Sequence, residues 1–203
     1  MNFAAFTSLL ENASAPVVLI EGRRAIPESA AQSAAQLSRW LAEHFARLCF
    51  RSGNATGTDE AFSRGVLEVD PSRLQVIAPY AQHRVKFRHP LAQYTSPEAL
   101  DETALRQVQQ LTIEATPAHR GLMKCYGRGG RTAAQAACLL RDTMKVTGVL
   151  PSFPPPIAAL FWVDPSCPDA GGTGHTIRVC RLLGIPVILQ NVWQHWPDEA
   201  KLG

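Results

Sequence analysis

Leu48-Cys49-Phe50-Arg51-Ser52-Gly53-Asn54-Ala55-Thr56-Gly57-Thr58-Asp59 reads as a short apolar strand that runs into a loop of glycines, hydroxyls and an amide, and Glu60 to Val69 behind it reads as a helix. A strand that hands over to a helix through glycine turns unpaired backbone N–H groups and the positive end of the helix outward together. Such a turn can seat an anion. Glycine lets the backbone approach a phosphate, while Ser52, Asn54, Thr56 and Thr58 add short hydrogen-bonding side chains. The same residues also suit a tight turn with a helix cap at Thr58 or Asp59.

Working outward, the same alternation recurs. Pro16-Val17-Val18-Leu19-Ile20 is a buried-strand run, followed by a turn at Glu21-Gly22-Arg23-Arg24 and by Pro27 at a first helical position. The helix behind it carries Ala30, Ala34, Leu37, Leu41, Phe45 and Leu48 on one face. Downstream come a strand at Leu74 to Ala78, a helix bearing Leu100, Ala104, Val108 and Leu111, and a helix from Thr132. The Pro-rich stretch Pro151 to Pro156 then leads into a strand at Ile157 to Val163, and a glycine-rich turn, a helix ending at Gly184 and a strand at Ile185 to Leu189 follow. Strands alternating with helices predict an α/β fold: a Rossmann-like, doubly wound, mostly parallel sheet with helices on both faces. One domain is expected over residues 1–203, with a helical and basic insertion at about 80–119.

Composition narrows the function. Hydrophobic residues make up 46% and charged residues 18%, which excludes both a charge-rich disordered chain and a protein of several membrane spans. No apolar run reaches the roughly 18 residues that cross a bilayer, and Met1 to Glu11 has neither a basic n-region nor a cleavage site, so a cytoplasmic protein without membrane contact is expected. Net charge is +3, and the basic residues are sixteen Arg and four Lys. That bias suits anionic ligands, although a GC-rich genome produces it too. The five cysteines form an odd set without C-x-x-C, which argues for reduced, mostly buried thiols. There is no G-x-G-x-x-G after the first strand, no G-x-x-x-x-G-K-[ST] and no G-x-S-x-G. His and Cys lack metal-ligand spacing, so neither cofactor nor metal is expected.

Two further loops carry chemistry. Asp169-Ala170-Gly171-Gly172-Thr173-Gly174-His175-Thr176 repeats the glycine design, with a helix opening at about Gly174. His175 suits a ligand hydrogen bond, acid–base work or a helix cap. Asp164, at the end of its strand, suits a ribose hydroxyl or a simple turn. The stretch His119 to Arg131 holds four cations and no acid, among them Arg128 and Arg131. With Arg84, Lys86 and Arg88, and with Phe87 and Tyr126 as stacking rings, it gives a modest footprint for single-stranded DNA.

Gly22-Arg23-Arg24 after the first strand and Ser52-Gly53-Asn54-Ala55-Thr56-Gly57-Thr58-Asp59 after the second resemble the SLOG superfamily, which contains DNA-processing protein A and the Lonely guy phosphoribohydrolases. Its usual forms there are Gly-Ser-Arg and Ser-Gly-Gly-Ala-x-Gly-x-Asp. The resemblance spans residues 15 to 79 and 120 to 190 and is closest to small stand-alone members. It implies a homo-oligomer that binds a nucleotide or a phosphorylated nucleotide derivative through Gly22, Arg24, Ser52, Gly53, Asn54, Thr56, Gly57, Asp59, Arg128, Gly171, Gly172, Thr173, Gly174, His175 and Thr176. Phosphoribohydrolases carry Pro-Gly-Gly-x-Gly-Thr-x-x-Glu, and here Arg178 stands where the glutamate belongs. A cation there removes that mechanism unless Asp59, Glu60 or Asp164 replaces the carboxylate. The expectation is therefore a non-catalytic nucleotide binder; the alternatives are single-stranded DNA binding and an N-glycosidase using Asp59 or Asp164.

Overall fold

A computed structural model describes residues 1–149 and 151–200. Strands β1 (Val17–Gly22), β2 (Cys49–Ser52), β3 (Leu74–Ile77), β4 (Gln93–Thr95), β5 (Ala158–Trp162) and β6 (Val187–Leu189) form one sheet in the order β4-β3-β2-β1-β5-β6. Every pairing is parallel, with Val17 opposite Cys49 and Val18 opposite Ala158. The central strand β1 is buried along its whole length, which is why its sequence is a continuous apolar run rather than an alternating one.

Successive residues of β1 still point to opposite faces. Val18 and Ile20 face α2 (Glu28–His44) and α3 (Thr58–Val69), together with the aromatic residues of α1 (Phe3–Asn12) and α9 (Trp196–Ala200). Leu19 faces the other layer with Ala159, Phe161 and Val163, under α6 (Gly130–Thr147) and α7 (Gly171–Leu182). The chain is thus doubly wound, as its alternation predicts. Residues 80–119 enter the fold itself: they supply the edge strand β4 and helix α4 (Glu102–Ala115), which packs on α6 and α7. The short helices α5 (Arg120–Met123) and α8 (Gln190–Trp193) complete the chain.

Several boundaries differ from those predicted by sequence. Helix α7 opens at Gly171 instead of Gly174, because Ala170 ends the preceding loop in an extended conformation. Strand β6 begins at Val187, after Pro186, which has no amide to donate. The Pro-rich stretch is pinned to the sheet by polar side chains of its strands. Arg51, fully buried in β2, donates to the carbonyls of Pro154 (2.7 Å) and Lys145 (3.3 Å), and Gln75 in β3 donates to Ser152 (2.9 Å). The cysteines are free thiols; Cys180 is buried, Cys167 is exposed and the others are half-buried. Among the described residues no helix is long and apolar enough to cross a membrane.

Helices α2 and α3 cross at Gly65, where a β-carbon would lie 2.1 Å from the carbonyl oxygen of Ala35. Ser38 seals the crossing by donating to Phe62 at 2.7 Å. Gly65→Ala gains roughly 1 kcal/mol of helix propensity but forces the helices apart, so a net loss of about 2 kcal/mol in unfolding free energy is expected by urea titration.

Candidate functional site

The strand order reverses between β1 and β5, and an open parallel sheet leaves a crevice beyond the carboxyl ends of its strands at such a point. Here Arg23, Asp164, Cys167, Gly171 and Thr173 line a cleft of about 230 Å³. Its wall is the start of α7. Ala170 offers no side-chain cap, the first turn holds no acid, and the first ladder bond runs from Gly174 back to Ala170. The amides of Gly171, Gly172 and Thr173 therefore precede the helix's own hydrogen bonds and turn its positive end toward the cleft. Opposite them, Arg23 Nη1 lies 2.8 Å from Asp164 Oδ2. The hydroxyl and amide of Ser166, together with Arg23, hold the Asp164 carboxyl below the usual carboxylate range. Asp164 is thus a fixed anion that orients Arg23.

The other glycine loop is filled from within. Asp59, 1% exposed, accepts hydrogen bonds from the amides of Gly53 (3.0 Å), Ala55 (3.3 Å) and Gly22 (3.3 Å) and from the Ser52 hydroxyl (3.3 Å). The cradle that the sequence suggests for a ligand holds this carboxylate instead. Nor does Thr58 or Asp59 cap the helix: α3 starts after Gly57 with no side-chain cap, and both side chains turn back to the loop and to the turn after β1. Ser52 is buried and Asn54 turns the loop at φ +55°. Thr56 is exposed, and Gly57 packs against the carbonyl of Arg24. Thr58 Oγ1 donates to the Arg23 carbonyl at 2.8 Å, which ties the loop to the β1 turn. Over the outside of the loop, Arg84 donates to the carbonyl of Asn54 and pairs with Glu60.

Beneath the crevice lies a buried ionic cluster that sequence analysis did not single out. Lys145 Nζ is 2.6 Å from Glu21 Oε2 and 2.9 Å from Asp142 Oδ1, and Arg141 Nη2 is 2.7 Å from the same Asp142 oxygen. Burial pushes Glu21 upward against the pull of Lys145, whereas in Asp142 burial is outweighed by Arg141 and Lys145, which hold it low. Gly172 sits so close that a β-carbon would meet Asp142 at 2.8 Å. Thr176 is fully buried, its hydroxyl 3.1 Å from both Glu21 Oε1 and the carbonyl of Gly172 with one proton to give, so it shapes the start of α7 without reaching a ligand.

His175 is likewise a scaffold residue. It has no exposed surface, and both ring nitrogens are engaged. The single hydroxyl proton of Thr112 goes to the Val108 carbonyl, so Thr143, 2.6 Å away, must donate to Thr112. Thr143 can then only accept from His175 Nε2 at 3.1 Å. The Thr116 hydroxyl therefore faces an unprotonated Nδ1 at 2.9 Å while accepting from Arg178. The ring is neutral with its proton on Nε2, and burial lowers its pKa to about 4. Arg178 bonds Thr116 and the carbonyl of Asp169. Arg24 and Arg128 stand exposed on their turns, and neither lines the cleft. Among the described residues, no group of three or more His, Cys, Asp or Glu is placed to hold a metal ion.

No family model matches the chain, and no curated protein does. Among solved structures it is similar to DNA processing protein A from Helicobacter pylori, whose description concerns its single-stranded DNA binding mode, at 16% identity and a TM-score of 0.48, over 90% of this chain and 67% of that one. It is also similar to the molybdenum cofactor carrier protein of Chlamydomonas reinhardtii, at 11% identity and a TM-score of 0.38, over 93% of this chain and 99% of that one. The class of the fold, a Rossmann-like doubly wound sheet, rests on its strand order.

Two stability measurements check this geometry. Asp59→Ala leaves three amides and a hydroxyl without their acceptor, and a loss of about 3–5 kcal/mol is expected in urea unfolding, with Asp59→Asn, which keeps one acceptor oxygen, falling less far. His175 binds its proton more weakly folded, at a pKa of about 4, than unfolded, at 6.5. Its contribution is complete above pH 6.5 and is lost as pH falls toward 4, by about 3 kcal/mol. A His175→Gln variant should lose that part of the pH slope.

Proposed function

We propose that this chain is a small stand-alone protein of the SLOG type that binds the phosphate of a nucleotide or nucleotide derivative, without cleaving it, in the crevice between β1 and β5. The observation that carries the reading is the uncapped start of α7, with Gly171 and Thr173 lining the cleft opposite Arg23 at the topological switch point. The backbone amides take the phosphate oxygens. Arg23, freed from Asp164 or shared with it, supplies a planar cation, and Asp164 is placed to accept a ribose hydroxyl. In this reading Gly22, Ser52, Gly53, Gly57 and Asp59 shape the crevice from behind, while Arg24, Thr56 and Arg128 at the surface serve longer or closing ligands.

Binding without glycosidic cleavage is favoured by the state of the two carboxylates. Asp59 spends both oxygens on the loop that encloses it, and Asp164 is committed to Arg23 and Ser166. Neither is a free base beside the cleft, and Arg178 occupies the place of the glutamate that a phosphoribohydrolase would use.

Single-stranded DNA is a second reading, supported by the β3–β4 loop. Phe87 is 71% exposed there between Lys86 and Arg88, and Arg84 stacks on its ring at 4.9 Å, an arrangement suited to a base and its backbone.

Isothermal titration with nucleoside monophosphates distinguishes these readings. Thr173→Glu places an acidic residue in the first turn of α7, where it suits the helix, yet puts negative charge in the anion seat. Binding by wild type and loss of at least tenfold in affinity in Thr173→Glu and Arg23→Ala are expected. Equal affinity in all three would place the ligand elsewhere.

A further inference from the structure

The ionic cluster beneath α7 holds more acid than base. Glu21, Asp142, Asp59 and Lys145 are all buried. A β-carbon on Gly53 would lie 3.2 Å from Asp59 Oδ2 and 3.3 Å from both Arg141 Cζ and Lys145 Nζ, so Asp59 shares the two cations that Glu21 and Asp142 meet. Arg51 of β2 pairs with no carboxylate and spends its guanidinium on Gln75 and on the carbonyls of Lys145 and Pro154. Three carboxylates thus face Lys145 and Arg141. Asp59 has three amides and a hydroxyl, and Asp142 has both cations, so the deficit falls on Glu21. Its Oε2 lies 2.6 Å from Lys145 Nζ, yet no donor is aligned on that oxygen as a hydrogen bond. A buried carboxylate so placed gains from a proton.

We propose that anion binding at the start of α7 is proton-linked: a phosphate or sulfate in that seat draws a proton onto Glu21, and the Thr176 hydroxyl carries the change to the peptide unit of Gly172 and Thr173. This regulation rests on the phosphate seat proposed above. Thr176 Oγ1 stands 3.1 Å from Glu21 Oε1 and 3.1 Å from the Gly172 carbonyl, with a single proton to give. While Glu21 is ionised, Thr176 donates to it. Once Glu21 carries a proton on Oε1, it donates to Thr176, and the Thr176 proton turns to the Gly172 carbonyl. That carbonyl and the Thr173 amide belong to one peptide unit, so a hydrogen bond to the oxygen strengthens the N–H as a donor. Protonation also removes a negative charge from behind the seat. Both effects favour an anion, and by reciprocity an anion in the seat raises the affinity of Glu21 for its proton.

The groups packed around Glu21 leave it as the one that titrates near neutrality. Burial pushes its carboxyl up, to about 7, against the pull of Lys145 and with the push of Asp142 and Asp59. On α6, Asp142 is held low by Arg141 and Lys145 despite its burial, and both cations stay charged beside it. On α7, burial drives the Cys180 thiol up, so it stays neutral. Asp59 of α3 keeps its four donors, and Phe161, opposite Glu21 in β5, is apolar. Glu21 is therefore neutral at lower pH and ionised at higher pH, and anion binding weakens as pH rises through that range.

Inorganic sulfate is the probe, because its charge stays constant over this range, whereas a phosphate monoester itself titrates at about pH 6. The amide resonance of Thr173 reports its binding. Wild type is expected to bind sulfate about fivefold more tightly at about pH 6 than at about pH 8. Glu21→Gln, with its oxygen toward Lys145 and its amide toward Thr176, is expected to bind tightly at both. Thr176→Val keeps the buried shape but breaks the relay, and the difference between the two pH values should shrink. In wild type, the carboxyl carbon resonance of Glu21 should titrate with a midpoint that moves up when sulfate is added, a reading that needs no variant to fold. Equal affinity at the two pH values, the same pH dependence in Glu21→Gln, a difference undiminished in Thr176→Val, or a Glu21 midpoint indifferent to sulfate would overturn the proposal and leave the seat standing. A Thr173 resonance that sulfate fails to move at either pH would overturn the seat, and the linkage with it.

Discussion

The carboxylate of Asp59 organises the carboxyl end of the sheet. It stands in the first turn of α3 and draws the amides of Gly53 and Ala55 from its own loop and that of Gly22 from the end of β1. A buried charge is tolerated only where hydrogen bonds replace the water it has lost, and here three amides and the Ser52 hydroxyl turn inward to supply them. Two consequences follow for function. The turn after β1 is locked to the turn after β2, which fixes where Arg23 stands. The positive end of α3 is neutralised internally, so the two glycine loops, alike in composition, have opposite fates. Helix α3 opens with Asp59 and Glu60, whereas the first turn of α7 contains no acid at all. In the proposed reading the anion seat therefore falls to α7.

The position of α7 depends in turn on the ionic cluster below it. Glu21, next to last in β1, points at α6 and α7, where it meets Thr176 and Lys145, itself paired with Asp142. Such a cluster adds little stability over apolar packing, but removing one member strands the others, so it acts as a register pin between strand and helices. Gly172 lies against Asp142 because only a residue without a side chain can bring the start of α7 so close. His175, one turn further on, joins α7 to α4 and α6 through Thr116 and Thr143. The residues behind the crevice are buried, while Arg23 and Gly171, which face it, are exposed and Thr173 is half-buried.

Sequence patterning carried most of the fold. The runs at Val17–Ile20 and Leu74–Ile77 are strands because parallel central strands bury both faces, and the 3.6-residue spacing of Ala30, Ala34, Leu37 and Leu41 is a helix because one stripe packs on the sheet. What stayed illegible lacked such a pattern. Gln93-Tyr94-Thr95 is three residues at an edge with no apolar run, and the segment around it therefore reads as an insertion. Helix α1 is held by Phe6 and Leu10 against aromatic residues from the other end of the chain, a pairing no local window contains. At the site, the glycine loops were visible but their occupants were not. Asp59 looks like a ligand group because a carboxylate beside a glycine turn is read alike whether it faces out or in. Nothing in the local sequence tells that it folds back on Gly53, Ala55 and Gly22 and leaves the helix amides uncapped. The cluster of Glu21, Asp142 and Lys145 combines charges distant in sequence, and only the packing of β1 against α6 brings them together.

The central claim is that an external phosphate is seated by the start of α7 and not by the loop that Asp59 fills. Amide resonances followed by nuclear magnetic resonance during a titration with a nucleoside monophosphate test it directly. The account predicts saturable shifts at Gly171, Gly172 and Thr173, with the amides of Gly53 and Ala55 unmoved. Shifts at Gly53 and Ala55 while those of α7 stay fixed would contradict it.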